Sequence, residues 1–333
     1  MKSPYLTLWL LVFCSATLWA EVGDEEEPVR YIGKVTTSNS DYKDGYHDGQ
    51  MQVAIGVQNY QILRANRTHP EWSDGLGWTY NHAPMLAYVN GQFYCQYLTN
   101  PTGEHIPPGM TMLTRSTNGK HWTKPQVLFP IYFTADPNDA SITFKFMHQR
   151  MGFYVAPNGR FLTMAFYGSP YGDGVGRVVR EIYPDNSFSP IYFIRVNDNW
   201  TGQVKYPLYT ASNDAGFVEA CSSFLDDKIR RVQWWEEDRE AKDRDEFYRV
   251  SWGGDTENSE PAKAFCFYTR PDGAVVGFFK SRWVTMTRDQ GQTWSPLVQC
   301  KTLTYGGAKI WAQKLDNGQY ALVYNPTDSM SRH

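Results

Sequence analysis

Four stretches of the chain share one pattern of apolar and polar positions around a central turn. Each opens on an ionisable residue, runs through apolar or alternating positions and reaches an Asn-Gly or Asp-Gly pair, whose glycine lies nine or ten residues after the opening residue. Each then resumes with alternating aromatic and aliphatic residues. Such pairs favour tight turns between antiparallel strands, because both central residues adopt positive φ. The pattern predicts four β-hairpins, which open at His82, Arg150, Lys263 and Lys309.

A weaker copy of the pattern begins at Glu219, with Asp226 and Asp227 at its turn. The later copies follow one another after 44 and 46 residues, and the earlier intervals are longer. A repeat of about 40–50 residues built from strands is typical of four-stranded propeller blades. We therefore predict an all-β chain folded as a β-propeller, of about seven blades when complete, with a six-bladed sialidase-like arrangement as the alternative. About five blades are recognisable, and we expect a chain that is incomplete at its C-terminus.

A second recurring motif supports this prediction. Residues 287–294 (TRDQGQTW) fit the Asp-box pattern S/T-x-D-x-G-x-T-W, and residues 116–122 (STNGKHW) are a shortened variant. In such a turn the side-chain oxygen accepts backbone N–H groups, the glycine adopts positive φ, and the tryptophan packs between blades. The residues assigned to this structural role are Asp289, Gly291, Trp294, Asn118, Gly119 and Trp122.

The N-terminus has the pattern of a targeting segment. A positive start is followed by the apolar run Leu6–Phe13, which is too short to span a bilayer, and then by small residues up to Ala20. We predict a signal peptide over 1–20, an acidic and polar leader over 21–45 and a propeller domain over 46–333. The mature protein is thus expected to be secreted or periplasmic, with no membrane association.

Composition narrows the function. Aromatic residues make up 16% of the chain, which suits stacking surfaces for sugars, and the net charge of −3 argues against nucleic acid as a partner. No ligand spacing indicates a metal site, and we expect no cofactor. The expected partner is an acidic polysaccharide or oligosaccharide; the sequence does not determine the oligomeric state.

The repeats also indicate candidate site residues. In a propeller the first strand of each blade lines a central channel, so the residues that open the repeats are expected to converge at one mouth of that channel. His82 is the predicted catalytic acid or base, because histidine exchanges protons near neutral pH. Trp78 and Tyr80 would form a stacking wall, and several cations would bind an anionic sugar. A ring of mutually paired charges around a wet channel is the structural alternative. The candidate substrate-binding residues are Trp78, Tyr80, His105, His148, Arg150, Tyr167, Arg177, Arg180, Glu219, Lys263 and Lys309.

Three segments carry a resemblance to a known family. They read GWTYNHAPMLAY from Gly77, GEHIPPG from Gly103 and MHQRMGFYVAPNGR from Met147. They resemble the sialidase-superfamily propellers that act on rhamnose–glucuronate linkages: the α-L-rhamnosidases of arabinogalactan and, more distantly, the propeller ulvan lyases. The resemblance implies a seven-bladed propeller, hydrolysis of a rhamnosyl-glucuronate bond and a catalytic histidine at His82. Inactive relatives exist in such families, so resemblance alone does not imply turnover.

Four functions remain open at this stage. The first is a histidine-based glycoside hydrolase, because the repeat heads lack the two carboxylates of most glycosidases. The second is a uronate lyase, in which Arg150, Arg177 or Arg180 neutralises the acid and His82, His148 or Tyr167 removes the proton. The third is a sialidase, although one Asp box alone is complete and no Arg-Ile-Pro motif lies near the start. The fourth is a non-catalytic sugar-binding propeller.

Overall fold

The computed structural model describes residues 60–103, 106–135, 143–146, 151–168, 174–198, 200–232, 264–300, 303 and 309–324. In these ranges most regular structure is antiparallel β-sheet, with three four-stranded sheets in which neighbouring strands pair in chain order. This is the predicted propeller blade, and the all-β propeller prediction is confirmed. The strands of the first sheet, blade 1, are β1 (Tyr80–Val89), β2 (Gln92–Asn100), β3 (Met110–Ser116) and β4 (Gln126–Phe129).

Two further sheets repeat this layout. A small hairpin, β5 (Phe133–Ala135) and β6 (Thr143–Lys145), separates blade 1 from blade 2. Blade 2 contains β7 (Met151–Val155), β8 (Phe161–Gly168), β9 (Gly174–Glu181) and β10 (Tyr192–Val196). Blade 3 contains β11 (Cys266–Thr269), β12 (Val275–Phe278), β13 (Trp283–Thr287) and β14 (Val298–Gln299), and a last hairpin pairs β15 (Ile310–Lys314) with β16 (Tyr320–Tyr324).

The first strands of neighbouring sheets contact each other, β1 with β7 and β11 with β15. The sheets therefore approach one another most closely at their first strands, as expected for the innermost strands of propeller blades. We call the end at which these strands begin the opening end, and the end at which they turn into the second strand the turn end. His82 lies near the opening end and Asn90-Gly91 at the turn end of blade 1.

The four predicted hairpins occur, but one turn alone has the predicted geometry. Asn90 and Gly91 both adopt positive φ, at 51° and 79°. In the other three hairpins the glycine alone is left-handed, at 81° to 82°, and its N–H donates to the carbonyl three residues earlier. These are longer loops, with a type I turn followed by a left-handed glycine. Pro157 and Pro271 suit such a turn, since proline fixes φ near −65°.

The predicted fifth hairpin at Glu219 is wrong. Residues Ala215–Asp226 form helix α1, and Lys228–Arg231 form the short helix α2. Asp214 caps α1 by accepting the N–H of Phe217 at 3.1 Å, and Asp227 caps α2 in the same way. The spacing of Phe217, Cys221 and Phe224 puts them on one buried helical face, a period of 3.6 that the hairpin alignment overlooked.

Helices α1 and α2 form a joint core with blades 2 and 3. Phe217 and Phe224 pack with Tyr154 of blade 2 and with Phe265 and Trp294 of blade 3. A second core lies between blades 1 and 2 and is rich in aromatic residues. The helices therefore occupy space between two sheets that a further hairpin was predicted to fill.

An ion-pair network fastens α1 to blade 2. Arg160 donates to both carboxylate oxygens of Asp214 and to Glu181 Oε2, each at 2.7 Å. Burial raises the pKa of Glu181 against the opposing effect of Arg160, whereas Arg160 lowers the pKa of Asp214. Gly216 leaves room for the guanidinium, because a Cβ there would stand 2.7 Å from Arg160 Nη2.

Replacing Arg160 by methionine is expected to destabilise the fold by about 2–3 kcal/mol, because Glu181 then keeps a buried carboxylate without its cation. The Glu181 side chain is only 6% exposed, while that of Asp214 is 41% exposed, so most of the loss comes from Glu181. Urea unfolding measures the change. Arg270→Met removes a pair with Asp272 in which both side chains are well exposed, and is expected to cost less than about 1 kcal/mol. Equal losses in the two variants would contradict this account.

The two Asp-box turns lie at the turn end, between the third and fourth strands of blades 1 and 3. Asp289 accepts from Thr293 N, Thr293 Oγ1 and Thr287 Oγ1 at 2.9, 2.6 and 2.8 Å, and Gly291 has φ of 81°. Asn118 accepts from Lys120 N and His121 N, each at 2.9 Å, with φ of 71° at Gly119. Trp294 is buried between α1 and blade 3, while Trp122 is half-buried and donates to Gly119 O.

Acid is expected to weaken the Asp-box turn of blade 3, which depends on the Asp289 carboxylate, but not that of blade 1, where the uncharged Asn118 takes the same place. Hydrogen bonds from Thr293 and Thr287 lower the pKa of Asp289 to about 2. A lowered folded-state pKa stabilises the fold above the unfolded value of about 4 and loses that contribution as the pH falls towards 2. Asp289→Asn should therefore flatten the loss of stability between pH 4 and 2, measured by thermal unfolding, and Asn118→Asp should steepen it. An unchanged pH profile in both variants would contradict the assignment.

Candidate active site

Tyr80 and His82 lie side by side at the opening end of β1. They are alternate residues of one strand, so their side chains leave the same face. Tyr80 Oη stands 3.4 Å from His82 Nδ1, and the two rings are stacked with centroids 5.9 Å apart. Both side chains are half-buried. With Tyr80 as the donor, the second ring nitrogen of His82 carries its proton.

A β-bulge follows this pair directly. The register between β1 and β2 shifts between His82 and Met85, and Ala83 adopts φ of 49°, which is unusual for a residue with a Cβ. Pro84 is next and has no N–H to offer to the ladder. Bulges re-aim the side chains beside them, so this one sets the direction of Tyr80 and His82 relative to the rest of the strand.

The neighbouring loop is fixed by a buried amide. Asn100, at the end of β2 and opposite Tyr80, donates through Nδ2 to Ile106 O at 2.8 Å and to Pro108 O at 3.4 Å. This anchors the segment that carries His105, which itself lies outside the described residues. Asn100 was missed by the sequence reasoning; the available signal was an asparagine at the end of a hairpin strand, directly before Pro101.

The predicted cationic ring is described only in part. Lys309 is exposed and immediately precedes β15, so it stands at the opening end, as His82 does. His148, Arg150 and Lys263 lie outside the described residues. Convergence of the five repeat heads therefore stays a prediction, except that Glu219 does not belong to it.

Glu219 belongs to the opposite end. It is exposed on α1, and its carboxylate accepts from Asn158 Nδ2 at 3.2 Å. Asn158 lies in the tight turn between β7 and β8. The prediction of Glu219 as a channel carboxylate is therefore corrected.

Tyr167 and Arg177 are buried structural groups rather than substrate contacts. Both side chains are 0% exposed. Tyr167 donates to Pro130 O at 3.0 Å, and burial raises its pKa well above the usual range, which is unsuited to a proton acceptor. The Arg177 guanidinium lies 3.9 Å from the centre of the Phe166 ring. The predictions for these two residues are corrected on grounds of burial.

Arg180 and Trp78 also have structural roles. Arg180 donates to Ser189 O and to Leu128 O, so its guanidinium ties blade 2 to the fourth strand of blade 1. The prediction that it binds a substrate carboxylate at the opening end is corrected, because the guanidinium is turned towards these carbonyls near the turn end of β9. Trp78 packs on the buried cluster of Tyr97, Met110 and Met112, and Ser73 Oγ accepts its backbone N–H.

An aromatic cluster underlies the opening end between blades 1 and 2. Tyr132 is central: its ring centroid is 4.5 Å from that of Tyr167, and its hydroxyl accepts from Lys205 N at 2.8 Å. Phe193 and Tyr206 complete the group. The rings of Tyr132, Tyr167 and Phe193 are fully buried and cannot stack on a sugar, which explains part of the high aromatic content in structural terms.

Two clefts within the described residues lie at the turn end. One, of about 150 Å³, includes Asn158, Arg160 and Glu181; the other, of about 310 Å³, lies between α2 and blade 3. Within the described residues no cluster of three potential metal ligands occurs. None of the helices in these ranges is long and apolar enough to cross a membrane.

Comparison with known proteins places the chain in a family. Residues 27–253 match the family model described as Beta-prop_BT_1020-like, N-terminal beta propeller. A solved structure titled "Sialidase" is 41% identical, with a TM-score of 0.70; the match covers 85% of this chain and 27% of that one. The chain thus spans about a quarter of the length of that relative. No curated protein matches.

Two more distant structures also match. A protein of unknown function from Dyadobacter fermentans is 14% identical, over 73% of this chain and 74% of its own, with a TM-score of 0.44. The α-L-arabinanase of Cellvibrio cellulosa is 8% identical, over 78% and 73%, with a TM-score of 0.35. Neither bears on function. The predicted resemblance to propellers of the sialidase type is confirmed at the level of the propeller. The chain belongs to the BT_1020-like N-terminal beta propellers.

Proposed function

We propose that this propeller hydrolyses the glycosidic bond of a carboxylate-bearing sugar at its opening end, with Tyr80 and His82 as the reacting pair. The observation that carries the proposal is the 3.4 Å contact between Tyr80 Oη and His82 Nδ1 on an innermost strand. A hydroxyl beside a base is the arrangement of an activated nucleophile. The relative titled "Sialidase" supports an acidic sugar as the substrate class.

In the proposed step Tyr80 Oη attacks the anomeric carbon and its proton passes to His82 Nδ1. The bond to the leaving oxygen breaks, and that oxygen takes up a proton from solvent water. Water then attacks the anomeric carbon of the tyrosyl adduct and gives its proton to solvent, while the Tyr80 oxygen leaves and takes its proton back from His82. Tyrosine is a known nucleophile in sialidases. It suits an anionic sugar, because a neutral phenol approaches the substrate carboxylate without the repulsion that an Asp or Glu would meet. The cations predicted at the repeat heads would bind that carboxylate.

The narrower assignment to a rhamnosyl-glucuronate linkage belongs to this proposal and rests on the resemblance of residues 77–88, 103–109 and 147–160 alone. We further propose that the protein acts outside the cytoplasm, as the N-terminal pattern predicts. The lyase alternative loses three of its named residues, because Tyr167 and Arg177 are buried and Arg180 is bonded to backbone carbonyls.

The test is an assay of the full chain on a small panel. It contains the methylumbelliferyl glycosides of N-acetylneuraminate and glucuronate, a rhamnosyl-glucuronate disaccharide and methylumbelliferyl rhamnoside. We expect hydrolysis of at least one acidic substrate, with no turnover of the neutral rhamnoside, and loss of activity in Tyr80→Phe. An unsaturated product that absorbs in the ultraviolet would establish the lyase instead. Binding of these sugars without turnover would establish the sugar-binding propeller.

A further inference from the structure

The larger described cleft lies at the turn end, on the opposite side of blade 3 from its opening end. It is formed where α2 meets β11, the start of β12 and the Asp-box turn. Its volume of about 310 Å³ is at the lower limit of typical small-molecule sites, about 300–1,000 Å³. The cleft is therefore large enough for a glycosyl unit and is separate from Tyr80 and His82.

The lining combines an apolar floor with a polar rim. Ile229 and Val275 are buried and Phe267 is half-buried, so the floor offers carbon surface of the kind that packs on the C–H face of a sugar ring. Arg230 forms one wall, with its guanidinium 5.5 Å from the centre of the Phe267 ring and 3.4 Å from Asp227 Oδ2. These contacts hold the arginine in one place.

The rim supplies both donors and acceptors. Lys228 and Gln290 offer N–H groups, and Asp226 offers a carboxylate; within the described residues these side chains make no hydrogen bonds to the protein. Gln290 is exposed and stands at φ of 58°, immediately before Gly291. Two acidic and two basic residues line the cleft, so their charges balance. An anion has no advantage in such a site, whereas vicinal hydroxyls can both donate and accept.

The smaller cleft differs in this respect. Its Arg160 is committed to Glu181 and Asp214, and its Asn158 to Gly216 O and Glu219. Its volume is also about half as large. Its polar groups are thus used within the protein.

We propose that the cleft between α2 and blade 3 is a saccharide-binding site for a neutral glycosyl unit. It would hold a polysaccharide chain independently of the opening end, and the proposal does not depend on the reaction proposed there. Lys228, Gln290 and Asp226 contact the sugar hydroxyls, and the floor of Ile229, Phe267 and Val275 packs on its ring.

The experiment measures binding of fluorescently labelled galactohexaose, arabinohexaose and xylohexaose to the full chain by anisotropy. The cleft variant is Lys228→Ala with Gln290→Ala, and both residues are exposed, so folding is preserved. Its matched control is Lys314→Ala with Gln292→Ala, which changes the same residue types, with Gln292 in the same Asp-box turn but outside the cleft.

We expect at least one hexaose to bind, with affinity reduced 10-fold or more in the cleft variant and unchanged in the control and in His82→Gln. Three results would overturn the proposal: no binding of any of the three hexaoses, equal affinity in the cleft variant and the wild type, or loss of binding in His82→Gln alone. The last would assign the neutral sugar to the opening end, and the first two leave the proposed hydrolase unaffected.

Discussion

His82→Gln is expected to lower kcat/KM on the acidic substrate by about 10²–10⁴-fold, the usual effect of removing a general acid or base. Glutamine keeps much of the size and polarity of histidine but cannot take up the proton of Tyr80. Because His82 is half-buried near the start of β1, the variant should fold normally. Steady-state kinetics with the substrate identified in the panel measure the change.

The control for this variant is His121→Gln. His121 is exposed in the Asp-box turn of blade 1, at the end of the sheet opposite His82. His121→Gln should retain full activity. Near-ultraviolet circular dichroism should show that both variants keep the wild-type fold. A folded His82→Gln protein with wild-type kcat/KM would exclude His82 from the reaction, and His105 and His148 would be the next histidines to replace.

Phe224→Ala is expected to destabilise the protein by about 3–5 kcal/mol, the cost of truncating a buried aromatic side chain. Phe224 is 2% exposed, and its ring meets that of Tyr154 edge-on at 5.2 Å. It belongs to the core that α1 shares with blades 2 and 3, so the cavity would open between two sheets and a helix. Denaturant unfolding measures the loss.

The matched change on the same helix is Asp226→Ala. Asp226 is exposed in the last turn of α1, and its replacement should alter stability by no more than about 0.5 kcal/mol. If Phe224→Ala were as mild as Asp226→Ala, α1 would not be part of the core. The position of the helix between the blades would then be wrong.

The sequence predicted the fold through its turns. The hairpins are marked by Asn90-Gly91, Gly159, Gly273 and Gly318, because a left-handed backbone is costly for most other residues. This preference depends only on the local backbone conformation, so it is visible in the sequence. The geometry of three of these turns was not predicted, since Pro157 and Pro271 were not given weight. Helix α1 was missed because two aspartates in a row resembled a turn pair, while the buried period of Phe217, Cys221 and Phe224 was not tested.

The candidate site was predicted less well than the fold. Tyr80 and His82 were both named from the sequence, but as a stacking residue and a catalytic residue rather than as a pair. Their contact follows from the alternation of β1, which puts both side chains on one face. Residues beyond a single strand were harder: whether Arg177 and Arg180 face solvent depends on Phe166 and on the carbonyls of Leu128 and Ser189, which come from other strands. Such tertiary partners leave no local pattern.

The positions of Arg177 and Arg180 limit how a substrate carboxylate can be bound. Arg177 is fully buried, and Arg180 donates to backbone carbonyls near the turn end of β9, so neither guanidinium faces the opening end. Recognition of a substrate carboxylate at the opening end must therefore come from other residues. Lys309 is the described residue in that position. This requirement is the physical reason for placing the acidic sugar next to His82 rather than between blades 1 and 2.

The most direct test of the proposed site is a nuclear magnetic resonance titration of the seven histidines, labelled with ¹⁵N in the imidazole ring. The His82 signals are assigned by their loss in His82→Gln, and the protein is titrated with N-acetylneuraminate, glucuronate and, as the neutral control, rhamnose. We predict that an acidic sugar shifts the His82 signals saturably and that rhamnose does not. Saturable binding of an acidic sugar that leaves the His82 signals unmoved would contradict the account.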